Sequence, residues 1–479
     1  MDKASLIAQS YQFSPTQEQL IFCKEMAAFL SQPLDKQCFI LRGYAGTGKT
    51  TSVGALVKAL PRFGYRSVLM APTGRAAKVM SNYTGRMALT VHKRIYRKKS
   101  SVSTEMSFML APNLAEYTLF IVDEASMIAD EWNTKTGSSF LKDLMQYAYN
   151  GKNCAVAFVG DTAQLPPVGS LDSPALNASY IAQQFGLAVK AVELKEVVRQ
   201  EKKSGILANA TMLRKIINKE REENEKIELP KFLTKSYKDI FRMTGLKFVE
   251  GLEYAYHKFG IENSLVVCRS NKSANIYNQQ IRSRLLYRDE ELTGGDQIMV
   301  VKNNYFWLPE NESAAFIANG DMARITRVRG IEERYGLRFC EVNMELIDFP
   351  EAGNITCKVM LDTLTSESPS LSYEQSNKMF EELNLDYDHL SNKRERFNAI
   401  KEDPYYNALQ IKFAYAVTCH KAQGGQWDAV FVDQGYLTDE MIDMDFMRWL
   451  YTGVTRAKTE LFLVNFSSNL FTSVMEDDY

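Results

Sequence analysis

A glycine-rich stretch near the beginning of the chain carries its clearest chemistry. Residues 43–50 read GYAGTGKT, which matches the phosphate-binding loop pattern G-x-x-x-x-G-K-[ST]. Its glycines let backbone N–H groups turn toward a phosphate, Lys49 offers a charge to the β- and γ-phosphates, and Thr50 would hold Mg²⁺. The alternative is a glycine-rich turn that matches by chance. The pattern predicts a nucleotide site formed by Gly43, Ala45, Gly46, Thr47, Gly48, Lys49, Thr50 and Thr51.

Two adjacent carboxylates follow a second apolar run. Residues 117–122 are predicted to form a buried strand, and Asp123 and Glu124 come directly after it. Asp123 would bind Mg²⁺ through water or Thr50, and Glu124 would polarise the water that attacks the γ-phosphate. An isolated Asp-Glu pair is more often a solvated strand end. The phosphate-binding loop upstream favours the catalytic interpretation.

Four further positions are candidates for sensing or stabilising the triphosphate. Asp161 and Gln164 follow the apolar run 155–159 and are predicted to report the state of the γ-phosphate. Arg199 follows a short apolar segment, and Arg456 lies in the stretch 451–458 near the C-terminus. Both are candidates for fingers that stabilise the transferring phosphoryl group. The alternative for a lone arginine is a surface position.

These residues need strands and helices to position them. Up to about residue 200, apolar strands alternate with helical stretches, which predicts an α/β fold with a parallel sheet and helices on both faces. Apolar runs at 265–268, 428–433 and 461–465 predict strands of a second sheet that is split by an insertion.

Two insertions interrupt the predicted sheets. Residues 92–113 place basic residues around a Ser-rich turn and predict a small hairpin, with a solvated basic surface loop as the alternative. Residues 295–404 contain short alternating strands with Asn-Gly turn chemistry and predict a small β-barrel. Its last part, 372–401, is charged and helical, and the sequence assigns it no task. The predicted division is 1–91 with 114–205 for the first domain, 92–113 for the hairpin, 206–294 with 405–479 for the second domain, and 295–404 for the barrel with its helical extension.

Composition limits the classes of function. The 479 residues include 57 Lys and Arg against 58 Asp and Glu, so any nucleic-acid track must be local rather than spread over a basic surface. Seven cysteines without C-x-x-C pairs and four histidines signal neither a disulfide framework nor a zinc site. No apolar run reaches the roughly eighteen residues of a membrane span, and the first residues lack signal-peptide features. A cytoplasmic location is expected.

The order of the motifs resembles that of the superfamily 1 helicases, in particular the RecD/Dda-like branch (SF1B). The resemblance covers most of the chain. Besides the motifs above, it includes Gln17 within 13–17 (similar to the adenine-reading Q motif), 71–77 (similar to motif Ia), 90–92, 160–167, 417–424 and 454–457.

The resemblance implies two RecA-like motor domains that bind ATP and Mg²⁺ between them, with Arg199 from the first domain and Arg456 from the second. It implies that the hairpin is a pin that separates duplex strands and that the barrel is SH3-like. The implied activity is an ATP-dependent DNA helicase, acting as a monomer, that moves 5′ to 3′ on single-stranded DNA in repair, recombination or replication.

Contacts with single-stranded DNA combine phosphate anchors with base stacking. Loops after strands are predicted to supply them, and Gly425 is assigned to the nucleotide. His92, next to Val91, has the alternative of a histidine at the edge of the core. Phe108, Tyr305 and Trp307 are expected to pack within the hairpin or the barrel. The predicted DNA contacts are Pro72, Thr73, Arg75, His92, Asn271, Lys272, Thr418, His420 and Lys421.

Two alternatives from other classes stay open. One is an RNA-directed superfamily 1 helicase, because recognition of the 2′-OH cannot be inferred from these motifs. The other is a nucleic-acid-binding ATPase subunit of a RecBCD-like complex, or a scaffold with a degenerate nucleotide site. The scaffold is disfavoured because no catalytic position is missing. No further acidic cluster indicates a two-metal nuclease.

Overall fold

A computed structural model of the protein describes residues 2–98, 108–133, 137–197, 203–223, 227–308 and 316–472. Its N-terminal part, called here the first lobe, ends with strand β10. The elements of the first lobe are α1 (Lys3–Gln9), α2 (Gln17–Phe29), β1 (Gln37–Gly43), α3 (Lys49–Ala59), β2 (Arg66–Ala71), α4 (Gly74–Thr84), β3 (Ala88–Thr90), α5 (Val91–Ile95), β4 (Tyr96–Lys98), β5 (Phe108–Leu110), β6 (Thr118–Val122), β7 (Trp132–Asn133), β8 (Ser138–Ser139), α6 (Phe140–Tyr149), β9 (Ala155–Gly160), α7 (Ala178–Phe185) and β10 (Ala188–Leu194).

The first lobe is organised by a parallel sheet of strand order β10-β1-β9-β6-β2-β3. Successive side chains of β1 enter the cores on opposite faces of the sheet, with Ile40 on the side of α5 to α7 and Phe39 on the side of α1 to α4. The rings of Phe22 and Phe29 meet Phe39 edge-on, at centroid distances of 5.9 and 5.4 Å. Because the strands are parallel, the loops that follow β1, β6 and β9 leave from the same edge.

The predicted hairpin is present as the antiparallel pair β4 and β5. Its strands cover only 96–98 and 108–110, because 91–95 form helix α5. The turn of the hairpin, 99–107, lies outside the described residues. A second small ribbon, β7 with β8, was not predicted.

The second lobe is formed by chain segments on both sides of the barrel. Helix α8 packs on α14, where its Leu213 and Ile217 share a core with Leu450. The elements of the second lobe are α8 (Gly205–Glu223), β11 (Ile240–Met243), α9 (Phe248–Phe259), β12 (Ser264–Cys268) and α10 (Asn271–Gln280, continued by a π-helical turn, Ile281–Leu285) before the barrel, and β18 (Ala416–Thr418), α13 (Cys419–Ala422), β19 (Trp427–Asp433), α14 (Met444–Val454) and β20 (Ala457–Val464) after it.

The sheet of the second lobe is also parallel and has the order β11-β20-β19-β12-β18. The rings of Phe431 in β19 and Phe462 in β20 stack at 4.3 Å and fill one face of this sheet. The two lobes therefore repeat one architecture, a parallel sheet whose loops follow the carboxyl ends of the strands.

The barrel is a closed ring of strands in the order β13-β14-β15-β16-β17. Helix α11 covers one end of it, where Met379 and Leu383 pack against Phe339, and α12 packs against α11. The predicted end of this insertion at residue 404 is too early, because β17 closes the barrel beyond it. The apolar run 408–418 supplies a barrel strand and a motor strand in succession, a division that hydrophobic pattern does not reveal. The elements are β13 (Gln297–Val300), β14 (Met322–Arg334), β15 (Leu337–Leu346), β16 (Asn354–Met360), α11 (Tyr373–Asp386), α12 (Lys393–Lys401) and β17 (Leu409–Phe413).

Among the helices of the described residues, none is both long enough and apolar enough to cross a membrane.

Candidate nucleotide and nucleic-acid site

The glycine-rich loop lies between β1 and α3, as the sequence predicts. Gly46 and Gly48 have φ of 75° and 82°, in the left-handed region that favours glycine. A Cβ on Gly43 would lie 2.8 Å from Oγ1 of Thr47 and 2.9 Å from Cγ of Lys49, so a side chain does not fit there. The loop is thus formed by glycines whose conformations or surroundings exclude other residues.

Side chains of the loop bond to its own backbone. The ammonium of Lys49 donates to the carbonyl oxygens of Gly43 at 2.6 Å and Tyr44 at 2.9 Å, and Thr47 Oγ1 donates to Tyr44 at 2.8 Å. Thr50 and Thr51 are exposed in the first turn of α3. Lys49 and Thr50 therefore lie at the helix N-terminus, where backbone N–H groups and the helix dipole favour an anion.

Asp123 follows β6 and is held by two donors. The hydroxyl of Tyr83, on α4, donates to Oδ2 at 2.7 Å, and the N–H of Glu124 donates to Oδ1 at 2.8 Å. Burial and the charge of Asp123 raise the pKa of Tyr83 well above its usual value, so its hydroxyl keeps its proton. Each carboxylate oxygen keeps lone pairs for a cation.

Glu124 stands where charges from both lobes meet. Its φ of 49° places it in the left-handed region. Burial raises its pKa, and the positive charges of Arg456 and then Lys49 oppose that shift. Asp123 and Asp161 add to the rise. A carboxylate of raised pKa in this position suits the acceptance of a proton from water.

Asp161 is joined to the second lobe through Tyr451 of α14. The hydroxyl of Tyr451 donates to Oδ2 of Asp161 at 2.6 Å and accepts from the backbone N–H of Ala45 at 3.0 Å. The N–H of Ala163 donates to the other oxygen of Asp161 at 2.9 Å. One phenol thus connects the phosphate-binding loop, the loop after β9 and the second lobe.

Arg456 follows α14 and is 3% exposed. Its guanidinium donates to the carbonyls of Thr452 at 3.0 Å and Gly425 at 3.1 Å and to Oγ1 of Thr455 at 3.2 Å. One of its partners, Thr452, accepts from the N–H of Leu165 of the first lobe at 2.9 Å, so Arg456 lies beside a contact between the lobes. Arg199 lies outside the described residues.

Three further residues, Gln17, Gln164 and Gly425, were predicted to contact the nucleotide or sense its state. Gln17 is exposed at the start of α2. Gln164 is buried, and its Oε1 has no hydrogen-bond partner among the described residues. Gly425 packs on the ring of Trp427, so closely that a Cβ would overlap the ring. It also accepts from Arg456, which makes it part of the support for that arginine.

The predicted DNA contacts on motif Ia lie beside the second lobe. Thr73 caps α4 by accepting from the N–H of Ala76 at 3.2 Å. Gly424 approaches this turn so closely that a Cβ would lie 3.0 Å from Thr73 Oγ1. The stretch 418–424 and motif Ia are therefore adjacent across the lobe interface. Pro72 directly precedes Thr73 in motif Ia.

Arg75 makes contacts that the sequence did not indicate. Its guanidinium forms an ion pair with Asp348 of the barrel at 2.9 Å and donates to the carbonyl of Gln426 at 3.2 Å. It also lies 4.8 Å from the ring centroid of Trp427. These partners occupy the guanidinium. The predicted contact of Arg75 with DNA stays a prediction.

His92 packs among aromatic rings. It stacks on Phe140 at 4.3 Å and lies 5.5 Å from the ring of Tyr96. Burial lowers its pKa to about 4, so the imidazole is neutral at ordinary pH. This surrounding agrees with the alternative of a histidine at the edge of the core.

The predicted DNA contacts of the second lobe follow β12 and β18. Lys272 is exposed, Asn271 begins α10 and Thr418 precedes α13. His420 is exposed on α13, and burial lowers the pKa of Lys421. Because β12 and β18 are parallel neighbours, these side chains start from the same edge of the sheet.

Sequence reasoning missed three tyrosines at the nucleotide site. Tyr83 holds Asp123 and Tyr451 joins Ala45 to Asp161, as described above. Tyr44 donates to Glu193 at 3.1 Å. Tyr44 and Tyr451 stand in short motifs, the phosphate-binding loop and the stretch that contains Arg456, whereas Tyr83 had no signal in the sequence.

Two protein-family models match the chain. The model described as an AAA domain matches residues 23–226, and the model described as a UvrD-like helicase C-terminal domain matches residues 413–464. The first match covers most of the first lobe, and the second covers the strands and helices of the second lobe that follow the barrel.

Characterised relatives include two helicases. The chain is 24% identical over 455 residues to the ATP-dependent DNA helicase dda of Enterobacteria phage T4, covering 88% of this chain and 93% of that protein. It is 33% identical over 187 residues to the ATP-dependent RecD2 DNA helicase of Deinococcus radiodurans, covering 39% of this chain and 23% of that protein. Among solved structures, the Pif1 helicase from Bacteroides in complex with ADP-AlF3 and ssDNA is similar to this chain, with a TM-score of 0.49 and 13% identity. The alignment covers 97% of this chain and 95% of that one.

Proposed function

Because the chain belongs to the superfamily 1 helicases of the RecD/Dda-like branch, we propose that it hydrolyses ATP in the cleft between its lobes to move 5′ to 3′ along single-stranded DNA and to unwind duplex. We propose DNA repair, recombination or replication as the setting and a monomer as the working form. Single-stranded DNA and duplex junctions are the proposed substrates.

The observation that carries the proposal is the junction of the lobes at Glu124. Lys49 of the first lobe and Arg456 of the second both act on this half-buried carboxylate. Tyr451 of the second lobe bonds to the loop that carries Lys49. A cleft built this way is complete only when the lobes are together, which links hydrolysis to their relative motion.

The residues present fit ATP and Mg²⁺. The loop 43–50 offers N–H groups and Lys49 to phosphates. Thr50 offers an exposed hydroxyl, and Asp123 keeps free lone pairs beyond its two hydrogen bonds. Mg²⁺ held by Thr50 and Asp123 would neutralise charge on the phosphates. Gln17 is proposed to recognise adenine, and Arg199 with Arg456 to stabilise charge on the transferring group.

The first test measures ATPase activity with and without single-stranded DNA. Lys49→Ala should abolish DNA-stimulated turnover, because the charge offered to the β- and γ-phosphates is lost. Arg456→Ala should retain ATP binding and lose turnover, and Arg456→Lys should fold more like the wild type while showing the same defect. Lys58→Ala, an exposed lysine of the same helix, is the matched control and should leave the rate unchanged. Normal hydrolysis by Lys49→Ala would refute the site.

Strand displacement on duplexes with one single-stranded tail determines the direction. The proposal expects unwinding of the 5′-tailed duplex. Unwinding only from a 3′ tail contradicts the proposed direction. Stimulation of the ATPase by RNA but not by DNA of the same sequence would instead favour the RNA-directed alternative.

A further inference from the structure

Tyr83 is a half-buried residue whose hydroxyl donates a hydrogen bond at the nucleotide site, and the ATPase mechanism above does not use it. It lies in the last turn of α4 and donates to Oδ2 of Asp123 at 2.7 Å. The other carboxylate oxygen accepts the N–H of Glu124 at 2.8 Å. With one donor on each oxygen, the carboxylate plane is fixed, and a hydrogen bond to an ionised acceptor is a strong one.

The backbone around Tyr83 is itself held against the nucleotide loop. Its carbonyl oxygen lies 3.5 Å from the position that a Cβ on Gly54 would take, so α4 packs closely on α3. Helix α3 begins at Lys49. The donor is therefore positioned by the same helix that carries the phosphate-binding lysine.

The opposite end of α4 is held by the second lobe and the barrel. Arg75 pairs there with Asp348 and donates to the carbonyl of Gln426. Gly74 lies against the carboxylate of Asp321, where a Cβ would overlap Oδ1. The 11 residues of α4 span about 16 Å, so one rigid helix runs from the inter-lobe contact to Asp123.

We propose that Tyr83 is a positioning residue for Asp123, through which helix α4 ties the orientation of the metal-binding carboxylate to the contact that Arg75 makes with the barrel and the second lobe. The inference rests on the proposed function, because it assigns to Asp123 a place beside Mg²⁺. It adds Tyr83 and the part of α4 that lies beyond motif Ia.

The test replaces only the hydroxyl. Tyr83→Phe keeps the ring and removes the donor, so Asp123 can turn away from the orientation that suits the cation. The Mg²⁺ concentration that gives half-maximal DNA-stimulated ATPase should rise by roughly tenfold, the usual value of a hydrogen bond to a charged group. Binding of Mn²⁺ in the presence of ADP, followed by the electron paramagnetic resonance of free Mn²⁺, should weaken by a similar factor without any turnover.

Tyr387→Phe is the matched control. Its hydroxyl also donates to an aspartate, Asp403, at 2.8 Å, but in the helical extension of the barrel. This variant should bind Mn²⁺ as the wild type does. A thermal melt of each variant checks folding, so a loss of metal binding in a folded Tyr83→Phe protein counts for the proposal.

The role of α4 is tested by adding Arg75→Gln. If α4 links the two ends, each single variant lowers the stimulation by DNA, and the double variant loses no more than the larger single loss. Additive losses, or Mn²⁺ binding by Tyr83→Phe equal to that of the wild type, overturn the inference. The wild type in the same assay separates the two claims, since absence of DNA-stimulated ATPase there refutes the proposed function instead.

Discussion

At the scale of single residues, Tyr451 bridges the lobes at the nucleotide site. Its hydroxyl is bonded on both sides, to Ala45 and to Asp161, and the side chain is 1% exposed. Tyr451→Phe leaves a backbone N–H and a carboxylate oxygen without this partner, and the penalty for such buried groups is about 1–3 kcal/mol. We expect kcat of the DNA-stimulated ATPase to fall by about tenfold, measured at saturating ATP, together with a lower melting temperature.

A control for Tyr451→Phe is available in the first lobe. The hydroxyl of Tyr149 donates to the carbonyl of Gln37 at 2.6 Å, away from the cleft. Tyr149→Phe should lower the melting temperature and leave kcat unchanged. Equal losses of kcat in both variants would mean that Tyr451 acts through stability alone.

At the scale of elements, an ion pair joins α4 to the barrel. Arg75 and Asp348 have side-chain exposures of 15% and 8%, so water screens them weakly. Burial raises the pKa of Asp348 against the opposing charges of Arg75 and Lys78. Removal of either partner leaves the other charge in a poorly hydrated place.

A double-mutant cycle measures this contact. Arg75→Gln and Asp348→Asn should each destabilise the protein in urea unfolding, and the double variant should be less destabilised than the sum, with a coupling energy of about 1–3 kcal/mol. A matched cycle on Arg329 and Glu341, an exposed pair at 2.7 Å within the barrel, should give a much smaller coupling energy. Equal coupling in the two cycles would contradict the inter-element role.

At the scale of the whole molecule, the docking of the barrel on the first lobe should depend on pH. Asp321 is 2% exposed, and burial together with Asp348 raises its pKa to about 7, against the N–H of Ala318 and the charge of Lys93. The folded protein therefore binds a proton that the unfolded chain releases. This bound proton stabilises the fold fully below about pH 4, which is the pKa of an aspartate in the unfolded chain. The stabilisation is lost as pH rises to about 7, by about 1.4 kcal/mol per pH unit.

The measurement compares melting temperatures at pH 5.5 and pH 8. The wild type should lose stability over this interval relative to Asp321→Asn, which carries no titrating carboxyl. Asp289→Asn, at an exposed position, should follow the wild type. Parallel curves for the wild type and Asp321→Asn would show that Asp321 does not titrate in this range.

The sequence predicts the two parallel sheets and the barrel because local hydrophobic patterns and short motifs define them. The loop 43–50 lies between a strand and a helix, as its pattern requires. The contacts between lobes are not predictable in this way. Tyr83 and Asp123 are 40 positions apart, and Arg75 and Asp348 are 273 apart, so no local spacing marks them. The sequence also does not show where the run 408–418 passes from the barrel to the second lobe, because both of its strands are apolar.

The strand order of the second lobe has a consequence for the way the chain folds as a ribosome releases it. The first sheet can form once β10 has emerged, and the barrel can close once β17 has emerged. Strand β11, in contrast, pairs with β20, from the far side of the barrel. Its edge stays without that partner until residues 457–464 have been synthesised. The nascent second lobe therefore carries an unpaired strand edge during synthesis, and such an edge is prone to pair with other chains.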